Sequence, residues 1–259
     1  MKQIITFLLF SIFYINCTTG NEETLVSTLE PPTVSESNLY SQGEFALLTK
    51  RYESVKAKLI KDKQDIKSWG DMLSIYLVQS RVSQDHKYAE NIFDLTTVLL
   101  KSKSLKSEDQ FLLLSYQATA LLSLHEFEKG LVVAKQASLL VPQNAAIIGA
   151  MVDANVELGN YKEAVALADK MINLRPDIRS YSRVSYLREL YGDIDGAIAA
   201  MKEAVASGVP GNEQCEWSRV NLGKLYMKNN KPDFAKMSFL IALENRPNYL
   251  PQTLTKFFL

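Results

Sequence analysis

Few residues in this 259-residue chain could do chemistry. The two histidines, His86 and His125, each lack a second histidine or cysteine at the spacing of a zinc site. The two cysteines, Cys17 and Cys215, lie in unrelated stretches, and acidic neighbours should raise rather than lower the thiol pKa of Cys215, which we place in a loop. The sequence contains no glycine-rich phosphate loop and no G-x-S-x-G motif. We therefore predict that the protein is not an enzyme and uses no cofactor or metal.

The composition favours a helical protein with a sizeable core. Hydrophobic residues make up 47% of the chain, while glycine, at 11 residues, and proline, at 8, are sparse. Lysine plus arginine equals aspartate plus glutamate, 29 each, so no basic excess indicates a nucleic-acid partner. The sequence thus favours an all-α protein that does not bind nucleic acid.

Residues 1–20 have the features of an export signal. Lys2 precedes an apolar run over residues 4–15, which is too short to span a bilayer comfortably. Cys17 resembles the lipid-modified cysteine of bacterial lipoproteins, although the residues before it depart from the usual pattern. The alternative is ordinary cleavage after Gly20. We expect an exported protein of the cell envelope, which is either anchored to the membrane through a lipidated Cys17 or periplasmic or secreted.

The next stretch, residues 21–38, is rich in glutamate, serine, threonine and proline. It shows no apolar period that would predict a helix or a strand. We therefore predict a flexible tether between the signal and a folded domain.

A helical pattern closed by proline recurs along the rest of the chain. Pro142 and Pro176 are 34 residues apart (176 − 142), and further copies end at Pro210 and Pro247. In the second helix of each copy, small or apolar residues recur at the i, i+4 and i+7 positions of one face. The three rows are Gly130, Ala164, Ala197 and Ala235; Ala134, Ala168, Met201 and Phe239; and Ala137, Met171, Ala204 and Ala242. Small side chains in these rows predict closely packed helices.

The turn inside each copy has its own signature. Glycine at 159 and 192 can adopt the left-handed conformation that ends the first helix, and His125 and Asn230 stand where the other copies would have this glycine. Asn160 and Asp193 follow the two glycines and are predicted to cap the second helix.

These features resemble the tetratricopeptide repeat (TPR), a 34-residue helix-turn-helix unit. The best-matching copy carries the family's signature residues at Leu222, Gly223, Tyr226, Ala235, Phe239, Ala242 and Pro247. We predict TPR-like repeats over 111–247, degenerate repeats over 39–110 that begin with a lone second helix, and a partial capping helix over 248–259. The resemblance implies an all-α fold, a right-handed superhelical stack of about five and a half helix-turn-helix units.

In this family the first helices of successive units line a concave groove. The resemblance therefore implies a non-catalytic scaffold for protein–protein interaction in the bacterial cell envelope, which binds a peptide or partner protein in that groove. Small-ligand or glycan binding by a surface lipoprotein is the alternative function. The candidate groove residues are Asp153, Arg179, Arg183, Tyr186, Glu189, Trp217 and Lys224.

Two readings of these candidates stay open at the level of sequence. Tyr186 and Trp217 are either rigid contact surfaces for a ligand or ordinary packing between helices. The carboxylate clamp of some family members is not supported, because only Arg179 and Arg183 of its five polar positions carry the needed charge. Two alternatives remain for these arginines: they make a looser contact with an anion, or they are simply solvated charges on the helix surface.

Overall fold

The computed structural model describes residues 25–34, 43–83 and 85–247. The predicted signal with Cys17 and the predicted capping helix over 248–259 therefore lie outside the described residues. The part described is helical and contains no strand, and none of its helices is long and apolar enough to cross a membrane.

The helices follow one another with short connections. In chain order they are α1 (Glu44–Lys61), α2 (Ile66–Ser83), α3 (Lys87–Leu99), α4 (Ser107–Ser123), α5 (Phe127–Leu140), α6 (Ala145–Glu157), α7 (Tyr161–Leu174), α8 (Ile178–Leu190), α9 (Ile194–Ala206), α10 (Glu213–Lys228) and α11 (Pro232–Asn245).

These helices form pairs that stack in a row. The pairs are α2–α3, α4–α5, α6–α7, α8–α9 and α10–α11, and α1 precedes them as a lone second helix. Each helix packs against the next, and the first helices of successive pairs also contact one another. This arrangement confirms the predicted all-α stack of helix-turn-helix units.

The rows of small residues pack as the sequence predicts. Every residue of the three rows in α5, α7, α9 and α11 is buried. The last pair shows why the family pattern has glycine at 223. A Cβ atom on Gly223 would lie 2.5 Å from Cε1 of Phe239, so the Phe239 ring can pack on α10 only where no side chain intervenes.

The turns inside the pairs adopt the predicted left-handed conformation. The φ angle is positive at Gly159 (75°), Gly192 (80°), His125 (60°) and Asn230 (52°). Asp193 caps its helix by accepting a hydrogen bond from the backbone N–H of Gly196. The predicted cap at Asn160 is wrong, because its amide instead donates to the side chain of Asn155. Side-chain caps occur at the starts of the first helices, at Asn144, Asp177 and Asn212.

Residues 25–34, here called the N-terminal strap, differ from the predicted flexible tether. Val26 and Leu29 are buried in the core formed by α1, α2 and α3. The hydroxyl of Tyr52 donates to the carbonyl oxygen of Leu29 at 2.8 Å. The hydroxyl of Tyr76 accepts from the backbone N–H of Glu30 at 2.9 Å and donates to its carbonyl oxygen at 3.0 Å. The strap is thus bound through both its apolar side chains and its main chain.

Further polar contacts extend along the strap. The hydroxyl of Tyr88 donates to the carbonyl oxygen of Pro31 at 3.1 Å. The side-chain amide of Gln79 donates to the carbonyl oxygen of Thr33 at 2.6 Å. These bonds satisfy main-chain groups of residues 29–34, which lie outside regular secondary structure. The strap therefore covers the first one and a half units.

The two ends of the stack contact each other. Arg246, which follows α11, forms a bidentate ion pair with Glu44 in the first turn of α1, at 3.0 and 2.9 Å. The same guanidinium donates to the carbonyl oxygen of Gly211 at 3.0 Å. A second ion pair joins Arg81 on α2 to Glu213 at the start of α10. The first and last units are therefore linked by charged side chains.

Candidate functional site

A cavity of about 770 Å³ lies on the concave side of the stack. Its walls are mainly α8 and α10, and Asp153 of α6, Met201 of α9 and Arg81 of α2 complete the lining. We call this cavity the groove. All of the candidate residues named from the sequence line it: Asp153, Arg179, Arg183, Tyr186, Glu189, Trp217 and Lys224.

The two aromatic candidates are open to solvent. Tyr186 is 45% exposed and Trp217 is 48% exposed, and both side chains face the groove. Simple packing between helices therefore does not describe them. Large rigid side chains that are half exposed in a concave surface offer contact area at a low entropic cost.

The helices α8 and α10 run in the same direction and in register. Glu189 near the end of α8 forms an ion pair with Lys228 at the end of α10. Arg179 and Trp217 are 38 residues apart (217 − 179), as are Tyr186 and Lys224 (224 − 186). Because the ion pair joins residues 39 apart, we infer that residues 38 apart lie at nearly the same level of the groove. Each level presents one cation and one aromatic ring, and the order is reversed between the two levels.

Ion pairs between different helices neutralise three of the cations. Arg183 of α8 binds Asp153 of α6 through two bonds, Nε to Oδ1 at 2.8 Å and Nη2 to Oδ2 at 2.5 Å. Glu189 binds Lys228, and Glu213 binds Arg81. Bidentate arginine–carboxylate pairs fix side-chain geometry. Asp153, Arg183 and Glu189 thus hold the walls of the groove in place.

Arg179 and Lys224 differ from the other cations of the groove. Neither forms an ion pair with any residue that the structure describes. The pKa of Arg179 lies below its usual value, chiefly because the groove walls partly desolvate the guanidinium, and because Arg175 adds like-charge repulsion. The charged form of Arg179 is therefore less well stabilised here than in water.

Sequence reasoning missed three charged residues of the groove, Arg81, Glu213 and Lys228. Arg81 belongs to the first unit and reaches the groove only because the stack curves back on itself. Its position in α2 follows no repeat offset that predicts this contact. Glu213 is the first residue of α10 and carries no motif of its own.

The residues with possible chemistry lie elsewhere. The rings of His86 and His125 have centroids 6.0 Å apart at exposed turns, a proximity that the sequence does not indicate. Cys215 lies in the first turn of α10 rather than in a loop, and it is buried. Burial raises the pKa of its thiol, and Glu216 raises it further. Residues 25–34, 43–83 and 85–247 contain no group of three or more side chains that could hold a metal ion.

Comparison with solved structures identifies the fold. The chain is similar to TTC0263, a thermophilic TPR protein of Thermus thermophilus, with a TM-score of 0.54 and 21% identity over 62% of this chain and 84% of that one. The fold is a TPR-type solenoid. It is also similar to BtubC from P. vanneervenii, with a TM-score of 0.53 and 14% identity over 80% of this chain and 92% of that one. The sequence matches no protein-family model and no curated protein.

Proteins that share a fold can differ in their binding sites, so the ligand of this chain depends on the residues of its own groove.

Proposed function

We propose that the protein is a non-catalytic scaffold that holds a peptide segment of a partner protein in the groove between α8 and α10. The observation that carries this proposal is the half-exposed pair Tyr186 and Trp217 inside a cavity of about 770 Å³. A cavity of this volume accommodates several residues of a peptide. Exposed aromatic rings next to charged groups suit the mixed surface of a peptide better than a purely apolar ligand.

The ion pairs around the groove support a preformed site. Because Arg183 is tied to Asp153, α8 keeps its place against α6 without a ligand. The pair between Glu189 and Lys228 similarly links α8 to α10. A rigid site loses less conformational entropy when it binds, so more of the contact energy is available for affinity.

Site-specific photo-crosslinking tests this proposal in the native envelope. A photoreactive residue at Ser182, which lines the groove, is compared with the same residue at Lys202, an exposed position of α9 outside it. We expect a discrete crosslinked partner at position 182 that disappears when Trp217→Ala is added. Equal crosslinking at positions 182 and 202, or crosslinking at 182 that Trp217→Ala leaves intact, contradicts a binding role for the groove.

We also propose that the scaffold works outside the cytoplasm, in a bacterial cell envelope. The support is the export signal over residues 1–20 with Cys17 as the lipid attachment point. If Cys17 is lipidated, only residues 18–24 separate it from the strap. Seven residues span at most about 25 Å when fully extended. The folded domain then sits close to the membrane. A diacylglycerol mass on the peptide that begins at Cys17 supports anchoring, whereas a chain that begins at Asn21 shows a cleaved, periplasmic or secreted protein.

Glycan or small-ligand binding is the second candidate. The exposed rings of Tyr186 and Trp217 favour it, because sugar rings also stack on aromatic faces. Titration with neutral oligosaccharides separates the two functions. A change in Trp217 fluorescence with a neutral oligosaccharide, and none with any peptide, assigns the groove to glycans.

A further inference from the structure

We propose that the groove selects an acidic peptide, in which one carboxylate binds Arg179, a second binds Lys224, and the residues between them contact Trp217 and Tyr186. This inference rests on the proposed function and adds the chemistry of the partner. It follows from the charges that line the groove and from their positions on α8 and α10.

The groove carries an excess of positive charge. Its lining contains five cations, Arg81, Arg179, Arg183, Lys224 and Lys228, and three anions, Asp153, Glu189 and Glu213. The excess is notable because the chain as a whole is neutral, with 29 residues of each sign. A concave surface of one sign raises the local concentration of ligands of the opposite sign.

The excess is confined to two side chains. Arg81, Arg183 and Lys228 each form an ion pair with one of the three anions. Arg179 and Lys224 are left without an ion pair among the described residues, so the excess charge lies on them. The anion contact considered for both Arg179 and Arg183 is therefore reduced to Arg179, because Asp153 already occupies the donors of Arg183.

The surroundings of Arg179 favour an incoming anion. Arg175, Arg81 and Arg183 repel its guanidinium, whereas the carboxylate of Asp177, which forms an ion pair with Arg175, attracts it. A carboxylate from a ligand would replace lost hydration and offset this repulsion. Hydrogen bonds between charged partners are stronger than those between neutral ones, and they gain from partial desolvation.

The spacing of the two cations suggests how far apart the ligand's carboxylates lie. Arg179 and Lys224 stand at levels seven residues apart, which corresponds to about 10 Å along parallel helices. Neighbouring helix axes lie about 8–10 Å apart, so the two sites are separated by roughly 14 Å. An extended peptide spans this distance in about four residues. The pattern Glu-x-x-x-Glu, with apolar residues between, fits both cations and both rings.

Trp217 provides a direct signal for binding. The chain has two tryptophans, and Trp69 is buried and does not line the groove. The test uses the full-length chain in a non-ionic detergent and follows its fluorescence. Three peptides serve as probes: Ac-GEVTVEG-NH₂, its glutamine analogue Ac-GQVTVQG-NH₂, and its lysine analogue Ac-GKVTVKG-NH₂.

We expect the glutamate peptide to bind at least about tenfold more tightly than the glutamine peptide, as loss of a charged hydrogen bond implies. Arg179→Gln and Lys224→Gln should each weaken the glutamate peptide about five- to tenfold and leave the glutamine peptide unchanged. Lys202→Gln removes the same charge from the exposed face of α9 and should have no effect. Matching melting curves for the three variants exclude misfolding as the cause of any loss.

Different failures have different meanings. Equal binding of the glutamate and glutamine peptides overturns the preference for acidic ligands and leaves a peptide groove in place. A weakening by Lys202→Gln as large as that by Arg179→Gln also overturns it, since the effect is then one of overall charge. Tighter binding of an oligogalacturonate than of the peptide assigns the cations to an acidic glycan instead. If none of the three peptides binds, this inference is overturned, and crosslinking at position 182 decides the proposed function separately.

Discussion

The contact between Glu44 and Arg246 should set how firmly the two ends of the stack are joined. The Arg246 side chain is 2% exposed and the Glu44 side chain is 40% exposed. Removing one partner of a fully buried pair costs about 3–5 kcal/mol, because the other charge is left buried. An exposed pair contributes about 0–1 kcal/mol. Since Glu44 is partly solvated, we expect Glu44→Gln to lower the free energy of unfolding by about 2 kcal/mol.

Urea unfolding followed by circular dichroism measures this loss, and small-angle X-ray scattering measures whether the ends separate. Asp71→Asn is the matched control, because Asp71 pairs with Arg51 on the surface, where both side chains are well exposed. The control should lose less than about 1 kcal/mol. A double-mutant cycle with Arg246→Gln isolates the energy of the pair from that of each side chain alone.

Two results would refute this reasoning. The first is a loss on Glu44→Gln no larger than that of Asp71→Asn. The second is a double-mutant cycle with no coupling between positions 44 and 246. In either case the ends are held by something other than this ion pair.

Three further predictions concern packing, the strap and pH. Gly223→Ala should lower the free energy of unfolding by about 1–3 kcal/mol, because the new Cβ would lie 2.5 Å from Cε1 of Phe239. Urea unfolding measures this loss, with Ala199→Gly at an exposed position of α9 for comparison. Tyr76→Phe should cost about 1–3 kcal/mol and speed hydrogen exchange at the Glu30 amide, whereas Tyr191→Phe should do neither. Asp65→Ala should cost about 1 kcal/mol at neutral pH. Because hydrogen bonds from Ser68 lower the pKa of Asp65, this difference should disappear as the pH falls below about 4, and a persistent gap at low pH contradicts the assignment.

The stack of helices was predictable because every repeat carries the same pattern of small and apolar residues. Ala164, Ala168 and Met171 lie on one face of α7, and residues at the same spacing recur in every copy. This common face could therefore be identified without coordinates. The structure buries all of these rows. The helix boundaries also follow the predicted turns, although α4 begins at Ser107, four residues before the predicted start of the regular repeats at 111.

The strap and the contact between the ends were not predictable for a physical reason. The strap is held largely by side-chain bonds to main-chain atoms, as from Tyr52 to Leu29, and such bonds impose no period on the sequence. Glu44 and Arg246 are 202 residues apart, and their meeting depends on the summed curvature of all the units between them. A small change in the angle between successive units, repeated along the stack, would move Glu44 and Arg246 apart.

The groove was predictable only in part. The repeat offsets place Arg179, Tyr186, Trp217 and Lys224 on one surface, and the structure brings them into one cavity. The offsets do not say which charges neutralise each other. That Asp153 pairs with Arg183 and leaves Arg179 unpaired follows from side-chain reach between α6 and α8, which repeat spacing does not encode.

The contacts between the ends should also influence the groove. Arg81 lines the cavity and is held there by Glu213, so the first unit forms part of the site only while the stack stays closed. Glu44 does not line the cavity, yet its pair with Arg246 supports the same closure. Glu44→Gln should therefore weaken binding of the glutamate peptide about two- to fivefold with no loss of a direct contact, as expected when the binding-competent state is less populated. Unchanged peptide affinity in a variant whose ends have separated would mean that α8 and α10 alone determine the site.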